Sequence, residues 1–436
     1  DSAWPDPRRP DGDGLRQHQH SRRARRADQA HDGRARNHLW RQPDGCVGAR
    51  RLVRGAVGAM ATPALANVQT GPGQVEKDTL SAMSSAAAAP SVNRLPRTTT
   101  LKFQTSWPTR DIFHEFAQDF AKKVNDMSGG QLRIEVYPAN SLVKSFGIQN
   151  AVHRGQIDGG HGVPTYWHDR NAAFSLFGSG PSFGMNANQM LAWMSYGGGQ
   201  ALYDELVQKT LNLNIQGFLY GPLAPQPLGW FKQRIQGLGD LTGLRFRAVG
   251  LAAEMFRELG LQTTALQPSD IIAWLNKGLI DAAEFNNPSS DRALGFPTVS
   301  NVCMIRSFHQ AAEVFEVIFN KDRFDSLPFE LRSMIRYALQ ASSSDLSWKA
   351  ADRFSTDYEE MRRKQGVRFF STPEEVLKAQ LEAWRRIIKR ESASSPIFRK
   401  IVESQQRFAR KVVGFGLDFS PTNWEPICLI AEQLAT

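Results

Sequence analysis

Two short stretches, Arg154–His161 (RGQIDGGH) and Lys277–Glu284 (KGLIDAAE), have nearly the same pattern and decide the fold. Each follows an apolar-periodic run and contains a basic residue, a glycine and then a β-prone segment. This order predicts the end of a helix, a left-handed glycine cap and a strand. Because the unit occurs twice, the sequence predicts two similar α/β lobes. The crevice between such lobes commonly holds a small ligand, so a two-lobed binding protein is the first hypothesis.

Strands and helices are predicted to alternate around the first stretch. Leu101–Thr105 alternates apolar and polar residues as a strand does, and Phe113–Val124 carries apolar residues at helical spacing. Leu132–Val136 alternates again, which predicts a second strand. The β-α-β order favours parallel pairing of the two strands through a right-handed crossover.

The same order is predicted around the second stretch. Leu244–Ala248 and Thr263–Leu266 are predicted strands, and Ala252–Leu259 and Ile271–Lys277 are the helices that follow them. The sequence therefore predicts an α/β protein with two similar α/β lobes and a ligand cleft between them.

After Pro328 the chain is predicted to be mainly helical. The segment Thr372–Glu375 (TPEE) has the composition of a helix start, in which Thr372 caps the helix and Glu375 bonds back to it as a capping box. We expect these late helices to brace both lobes.

These patterns divide the chain into seven segments. They are a disordered or non-native extension at 1–49, a candidate export signal at 50–66, a flexible linker at 67–97, the first part of lobe I at 98–225, the core of lobe II at 226–287, a return to lobe I at 288–325 and C-terminal helices at 326–436. The export signal has a basic start, a weakly apolar stretch and an Ala-x-Ala ending, and it predicts a periplasmic location. The alternative for this segment is a chance Ala-rich linker.

The composition argues against several classes of protein. With 436 residues, 41% hydrophobic and 22% charged, the chain can bury more than one core, and no apolar run is long enough to span a membrane. Residues 1–60 contain thirteen arginines and seven aspartates and so carry more than half of the net charge of +10. The basic run Arg22–Arg26 lacks the aromatic residues and helical periodicity of a nucleic-acid site. We therefore predict neither nucleic-acid binding nor membrane insertion of the mature protein.

Five segments follow one another in an informative order and spacing. They are Ser106–Pro108, Tyr196–Tyr203, Gln226 with Gly229–Phe231, Leu244–Arg247 and Gly278–Glu284. In this order they resemble the solute receptors of tripartite ATP-independent periplasmic (TRAP) transporters, most closely the subgroup that binds 2-oxo or hydroxy carboxylic acids. The resemblance implies a periplasmic-binding-protein-like fold that closes on a small organic acid and passes it to TRAP membrane permease subunits. The resemblance is also compatible with a homodimer that forms through the late helices.

Arg247 matches the arginine with which this family binds a carboxylate. A guanidinium offers two parallel N–H donors to a carboxylate, a geometry that lysine does not reproduce. The alternative is a solvated basic strand residue, and that is how we interpret Arg245, two residues earlier.

The resemblance also implies a cation, Na⁺ or Ca²⁺, that bridges the protein and the ligand. In the subgroup a glutamine, a glutamate and the carbonyl of the next residue hold this cation, and these positions fall on Gln226, Glu284 and Phe285. Oxygen ligands of this kind suit Na⁺ or Ca²⁺ better than a transition metal. Phe285 replaces the usual tryptophan, and Gln310 stands where the family has a second glutamate, which removes one negative charge. For Glu284 a solvated carboxylate at a strand end remains the alternative.

Three aromatic residues, Trp107, Tyr166 and Phe285, are candidates to line the ligand cavity, although core packing explains each equally well. Asn286 is a candidate amide donor at the cleft or part of a turn. His161 is predicted to pack after its strand.

Two other functions stay open at this point. The segment Gly180–Gly184 (GPSFG) matches the nucleophile-elbow pattern of hydrolases, but Pro181 and the glycines before it interrupt the strand that the motif needs before Ser182. A binding site alone does not separate a transport receptor from a ligand-sensing subunit of a membrane signalling protein. We predict a receptor and not an enzyme.

Overall fold

The computed structural model describes residues 98–178 and 180–419, and every structural statement below refers to those residues. The strands are β1 (Thr99–Thr105), β2 (Leu132–Tyr137), β3 (Gly159–Gly162), β4 (Ile215–Leu223), β5 (Gly229–Phe231), β6 (Arg245–Arg247), β7 (Gln262–Thr264), β8 (Ala282–Ala283), β9 (Val302–Ile305), β10 (Glu313–Asn320) and β11 (Arg368–Ser371). The predicted extension, export signal and linker, residues 1–97, lie outside the described residues.

The helices are α1 (Ile112–Met127), α2 (Ile148–His153), α3 (Ala187–Tyr196), α4 (Gly199–Asp204), α5 (Gly250–Glu258), α6 (Ile271–Asn276), α7 (Pro288–Leu294), α8 (Lys321–Asp325), α9 (Phe329–Lys364), α10 (Glu374–Ser394) and α11 (Pro396–Phe419). Within the described residues, none of these helices is both long and apolar enough to cross a membrane.

The strands form two sheets, one of five strands and one of six, whose three parallel strands at one edge have the same order. The first sheet runs β2-β1-β3-β10-β4, and the second runs β7-β6-β8-β5-β9-β11. In each sheet three parallel strands are followed by an antiparallel one, β10 in the first and β5 in the second. We call the sheet of β1 with its helices lobe I and the sheet of β6 with its helices lobe II. The predicted repetition of one α/β unit is confirmed.

The glycine in each of the two similar stretches has the predicted left-handed backbone. Gly155 follows α2 at φ +69°, and Gly278 follows α6 at φ +65°, so each helix ends where a residue without a side chain is favoured. In the first copy, the strand that follows the glycine, β3, is closely packed. A Cβ on Gly159 would lie 2.1 Å from the ring of Phe103, and one on Gly160 would lie 2.3 Å from Ile148. Close packing therefore explains the Gly-Gly of the first copy.

Helix α1 covers the first sheet with one apolar face. Phe113, Phe116 and Phe120 are buried at helical spacing against the strands. Asp111 caps the helix by accepting the Phe113 N–H at 3.0 Å, and its Oδ1 also accepts the Ser290 hydroxyl at 2.6 Å. The cap thus connects the start of α1 to α7.

The chain passes between the two sheets three times, once through the helices that join β10 to β11 and twice through short segments that we call the crossings. The first crossing lies between the end of β4 at Leu223 and the start of β5 at Gly229, and the second lies between the end of β9 at Ile305 and the start of β10 at Glu313. The return to the first sheet therefore comes after Ile305, later than the expected return at residue 288. Helix α7 already contacts α1 and α9, but β9 still belongs to the second sheet.

The late helices contact both lobes, as expected. Helix α9 packs on β4 and α1 of lobe I, α10 packs on α5 of lobe II, and α11 packs on α3 and α4 of lobe I. The three late helices together therefore contact both lobes.

The predicted capping box at the start of α10 is wrong. The Thr372 hydroxyl donates to the carbonyl of Ile305 at 3.0 Å, and its backbone N–H donates to the same oxygen at 2.9 Å. The Glu375 carboxylate accepts the backbone N–H of Leu238 at 2.9 Å. Both side chains bind distant segments, and long-range contacts replace the local pair.

Candidate functional site

One cavity lies between the lobes, beside the two crossings. All eight residues that the sequence nominated line it, namely Trp107, Tyr166, Gln226, Arg247, Glu284, Phe285, Asn286 and Gln310. Four further residues complete the wall: Phe113, Thr165, Val249 and Glu313. The space measures about 260 Å³ to the atomic surfaces including its opening, and little of it is wide enough to admit a water molecule. The cleft is therefore closed tightly, with room for a small ligand only if the lobes separate slightly.

Arg247 is the last residue of β6, at the carboxyl edge of the parallel strands, and it is 2% exposed. Its Nε and Nη2 donate to the carbonyl of Leu266 at 3.1 and 2.9 Å, and its Nη1 donates to the Glu284 carboxylate at 2.9 Å. Arg245, on the same strand, is exposed and forms an ion pair with Asp281 at 2.7 Å. The structure therefore separates the two arginines as the sequence predicts.

Glu284 lies directly after β8, next to Arg247 at the end of the neighbouring strand β6. It is 1% exposed. Burial raises the pKa of this carboxyl to about 7, and the attraction of the Arg247 guanidinium opposes a further rise. Its Oε1 receives the bond from Arg247, whereas its Oε2 has no partner among the described residues. A solvated strand-end carboxylate, the alternative for Glu284, does not fit this burial.

Glu313 is a wall residue that the sequence reasoning missed. It begins β10, a strand buried along its whole length, and its Oε2 accepts the amide N–H of Gln226 at 3.0 Å and that of Asn286. Burial raises its pKa to about 7, although these two hydrogen bonds favour the ionised form. The signal in the sequence is a glutamate inside the apolar run from Ala311 to Phe319.

Gln226 and Gln310 lie on the two crossings and hold them together. The backbone N–H of Gln226 donates to the carbonyl of Gln310 at 3.2 Å. The side-chain oxygen of Gln226 lies 3.3 Å from Nε2 of His309, a ring whose pKa burial lowers to about 3. His309 is therefore neutral near pH 7 and donates to this oxygen.

The aromatic walls come from both lobes. Trp107 packs edge-on against Phe113, with ring centres 5.0 Å apart, and it lies 6.3 Å from Tyr166. On the other side the ring of Phe285 lies 5.7 Å from the Arg247 guanidinium. Burial raises the pKa of the Tyr166 phenol, so it stays a neutral hydrogen-bonding group.

Four buried polar atoms on this wall have no hydrogen-bond partner among the described residues. They are Nε1 of Trp107, Oε2 of Glu284, and Oε1 and Nε2 of Gln310. An unpaired buried polar group costs about 1–3 kcal/mol, so such groups are rare in folded proteins. Four of them around one cavity indicate a site for a polar ligand.

The oxygen atoms of the wall also suit a hard cation. Glu284 and Glu313 supply carboxylates, and Gln226 and Gln310 supply amide oxygens. No group of three or more His, Cys, Asp or Glu side chains in the described part of the chain is arranged to hold a metal. A cation here would depend on two carboxylates and neutral oxygens, a set typical of Na⁺ or Ca²⁺.

His161 and Ser182 have other roles. His161 is buried in β3, with Nε2 2.8 Å from the Tyr220 hydroxyl, and burial lowers its pKa to about 3. Ser182 begins a short 3₁₀ turn, Ser182–Gly184, instead of joining a strand to a helix. Its hydroxyl is buried without a partner among the described residues. The strand-to-helix context of a nucleophile elbow is therefore not found at Ser182.

Comparison with known proteins assigns this two-lobed architecture to a family. The model of the family described as bacterial extracellular solute-binding protein, family 7, matches residues 103–394. The chain belongs to this family. The resemblance to TRAP-transporter solute receptors is thereby confirmed, and the family is one of solute receptors.

Individual relatives of this solute-binding protein support the same assignment. A monocarboxylate 2-oxoacid-binding periplasmic protein from Nostoc is 26% identical over 312 residues, which are 71% of this chain and 84% of the relative.

Two solved structures of TRAP solute-binding proteins share the fold. One from Bordetella bronchiseptica aligns with a TM-score of 0.73 at 26% identity, covering 78% of this chain and 99% of its own. It is a mixed-occupancy dimer with copurified calcium and picolinate in a bound active site and with an apo site. One from Pseudoalteromonas atlantica aligns with a TM-score of 0.69 at 26% identity, covers 73% of this chain and 96% of its own, and holds sodium and pyruvate.

Proposed function

We propose that this chain is a periplasmic receptor that binds a small 2-oxo or hydroxy carboxylate between its lobes and delivers it to the permease subunits of a TRAP transporter. The observation that carries the proposal is the set of unpaired polar atoms around the buried guanidinium of Arg247. The 2-oxoacid-binding relative and the pyruvate-bound structure support this class of ligand.

Arg247 is the proposed anchor for the ligand's carboxylate. A guanidinium has five N–H donors. The Leu266 carbonyl takes two of them and Glu284 takes one, at distances up to 3.1 Å, and a fourth is at most weakly engaged at 3.5 Å from the Glu284 carbonyl. At least one donor is left for the ligand, and the three short bonds fix the plane of the group. A fixed donor binds a carboxylate with little loss of conformational entropy.

The charge balance of the site supports a bound cation. With both carboxyls ionised, Glu284 and Glu313 outweigh the single positive charge of Arg247, and a carboxylate ligand adds a further negative charge. The pKa values of about 7 for both carboxyls reflect how unfavourable buried negative charge already is here. A Na⁺ or Ca²⁺ ion supplies the missing positive charge when it is bound by Gln226, Glu284, Gln310 and the carbonyl of Phe285, with Glu313 beside them.

The remaining wall residues give the site its shape. Trp107, Tyr166 and Phe285 provide apolar faces for a short carbon chain, and the indole N–H of Trp107 is an available donor. The side chain of Asn286 is held by Glu313, so its proposed role is to orient that carboxylate. Closure of the two lobes around the acid is the proposed signal to the permease.

A thermal-shift experiment with pyruvate tests the proposal. A ligand that binds only the native state raises the melting temperature, and this increase should be larger with Ca²⁺ or Na⁺ present than in chelator-treated buffer. If no small 2-oxo or hydroxy acid raises the melting temperature, with or without the cations, the proposal is refuted.

A further inference from the structure

A second, larger cavity lies directly outside the first, and we call it the outer chamber. The two cavities share Thr165, Tyr166 and Val249, so these residues form the partition between them. The outer chamber measures about 890 Å³ to the atomic surfaces including its open mouth, and a large part of it is wide enough to admit water molecules. It is therefore roomy where the inner cavity is tight.

Gln149 on α2 is the unusual residue of the outer chamber. It lines the chamber and is only 2% exposed, yet neither its Oε1 nor its Nε2 has a hydrogen-bond partner among the described residues. A buried amide with both ends unpaired is costly, and an apolar residue would fill the same position without that cost. The amide is therefore explained by a hydrogen-bonding group that enters the chamber.

The electrostatics of the chamber favour a group rich in acceptors. The N-terminus of the nine-residue helix α5 opens into it at Val249 and Gly250, and of its first-turn N–H groups that of Leu251 already donates to the Ser175 hydroxyl at 3.2 Å. The helix dipole and the other N–H groups of the first turn make such an end attractive to anions and carbonyl oxygens. The guanidinium of Arg170 also lines the chamber.

The acidic groups near the chamber are compensated or exposed. Glu254 of α5 is paired with His168 at 3.0 Å and with Arg390. Asp169 lines the chamber but is exposed to solvent. Among the described residues that line the chamber, no buried carboxylate therefore opposes an anionic or acceptor group.

We propose that the outer chamber binds the far end of the ligand, so that the preferred solute is a 2-oxo or hydroxy acid with a second hydrogen-bonding group on its tail. This inference rests on the proposed function, because the acid group itself occupies the inner cavity at Arg247. The tail passes the Tyr166 partition, and its terminal group bonds to Gln149 and to the N–H groups at the start of α5. A tail carboxylate and a tail amide share this acceptor chemistry.

Calorimetric titration with a matched series of acids tests the inference. Pyruvate is the short reference, and 2-oxopentanoate, 2-oxoglutarate and 2-oxoglutaramate are five-carbon acids whose tails end in a methyl, a carboxylate and an amide. One polar-tailed acid is expected to bind at least about tenfold more tightly than 2-oxopentanoate, the gain of one strong hydrogen bond. Which of the two binds better identifies the tail.

Two variants with the same substitution assign the effect to the chamber. Gln149→Met keeps a side chain of similar length without hydrogen bonds, and it should remove most of the preference for the polar tail. Gln131→Met, at an exposed glutamine at the start of the segment leading into β2, should retain the full preference. Thermal melts of both variants verify that they fold.

The outcomes separate this inference from the proposed function. If pyruvate binds but neither polar-tailed acid exceeds 2-oxopentanoate, or if Gln149→Met keeps the wild-type ratio, the outer chamber does not recognise the tail. If none of the four acids binds, the proposed function fails and this inference fails with it.

Discussion

Replacement of Arg247 by lysine tests the carboxylate anchor while keeping its charge. The guanidinium uses three short bonds, two to the Leu266 carbonyl and one to Glu284, to hold its remaining N–H groups in place. An ammonium group has three donors without a fixed plane, so it cannot meet both protein partners and the ligand in the same way. The positive charge next to Glu284 is retained, and we therefore expect Arg247→Lys to fold.

The magnitude follows from the bonds that are lost. Loss of one charge-assisted hydrogen bond to the ligand costs roughly 1.5–3 kcal/mol, which weakens binding roughly 10- to 150-fold. At a pyruvate concentration of about 100 times the wild-type Kd, the ligand stabilises the native state by about 2.7 kcal/mol. A Kd that is about 100-fold weaker leaves about 0.4 kcal/mol. The melting temperature of the wild type should then rise by roughly 3–5 °C, and that of the variant by less than about 1 °C.

The assay is a thermal melt with and without pyruvate at one fixed concentration and with Ca²⁺ present. The matched control is Arg245→Lys, which makes the same substitution two residues away, where the side chain is exposed and paired with Asp281. This control should keep the full ligand-induced shift. A wild-type shift in Arg247→Lys, or an equal loss in both variants, would refute the role of Arg247 as anchor.

Four further outcomes are expected. Glu313→Gln preserves the acceptor for its amide partners but removes one negative charge, so calcium affinity measured by calorimetry with pyruvate present should fall at least about tenfold; an unchanged value would exclude Glu313 from the cation site. Glu284 and Glu313 have pKa values of about 7 and must lose their protons to bind a cation, so calcium affinity should be about tenfold or more weaker at pH 6 than at pH 8; a flat profile would contradict this. Ser182→Ala removes a hydroxyl without a partner among the described residues, so it should change the melting temperature by no more than about 2 °C and leave any esterase activity of the protein unchanged. Loss of such activity would support a hydrolase. Gly250→Ala places a Cβ 1.9 Å from the Thr165 hydroxyl in a residue whose φ is +61°. It should therefore destabilise the protein by about 1–3 kcal/mol, measured by denaturant unfolding. An unchanged unfolding midpoint would contradict the close packing of Gly250 against Thr165.

Local patterns predicted the fold because each repeated unit carries its own signals. The apolar spacing of α1, the alternation of β1 and β2, and the glycines at positions 155 and 278 all act within a few residues, and all were confirmed. The failures involve partners that are distant in sequence. Thr372 and Glu375 have the right spacing for a capping box, but Ile305 and Leu238 take their hydrogen bonds. No local signal indicates that β9 stays in the second sheet.

Prediction of the site was limited in the same way. A resemblance to a family transfers individual positions, and all eight nominated residues do line one cavity, although their roles in binding stay predictions. Glu313 was missed because the sequence shows only a charge inside a buried strand. Glu316 gives the same signal three residues later, yet its carboxylate is held in the core by Trp167 at 2.6 Å and by Tyr203. Only the pairing of β10 with its neighbours separates the two glutamates.

On the proposed function, the position of the site between the crossings would link binding to closure. Lobe I contributes Trp107 and Tyr166, and lobe II contributes Arg247 and Glu284, so a ligand in this cavity would contact both sets only when the cleft is closed. A ligand shifts a conformational equilibrium only by the difference between its affinities for the two states. Here that difference would include the proposed anchor in one lobe and the aromatic walls of the other. His309 at the crossing stays neutral near pH 7, so it does not supply the charge that closure requires. The buried carboxyls hold the excess negative charge, and closure on an anionic ligand is therefore expected to depend on a cation or on proton uptake by these carboxyls.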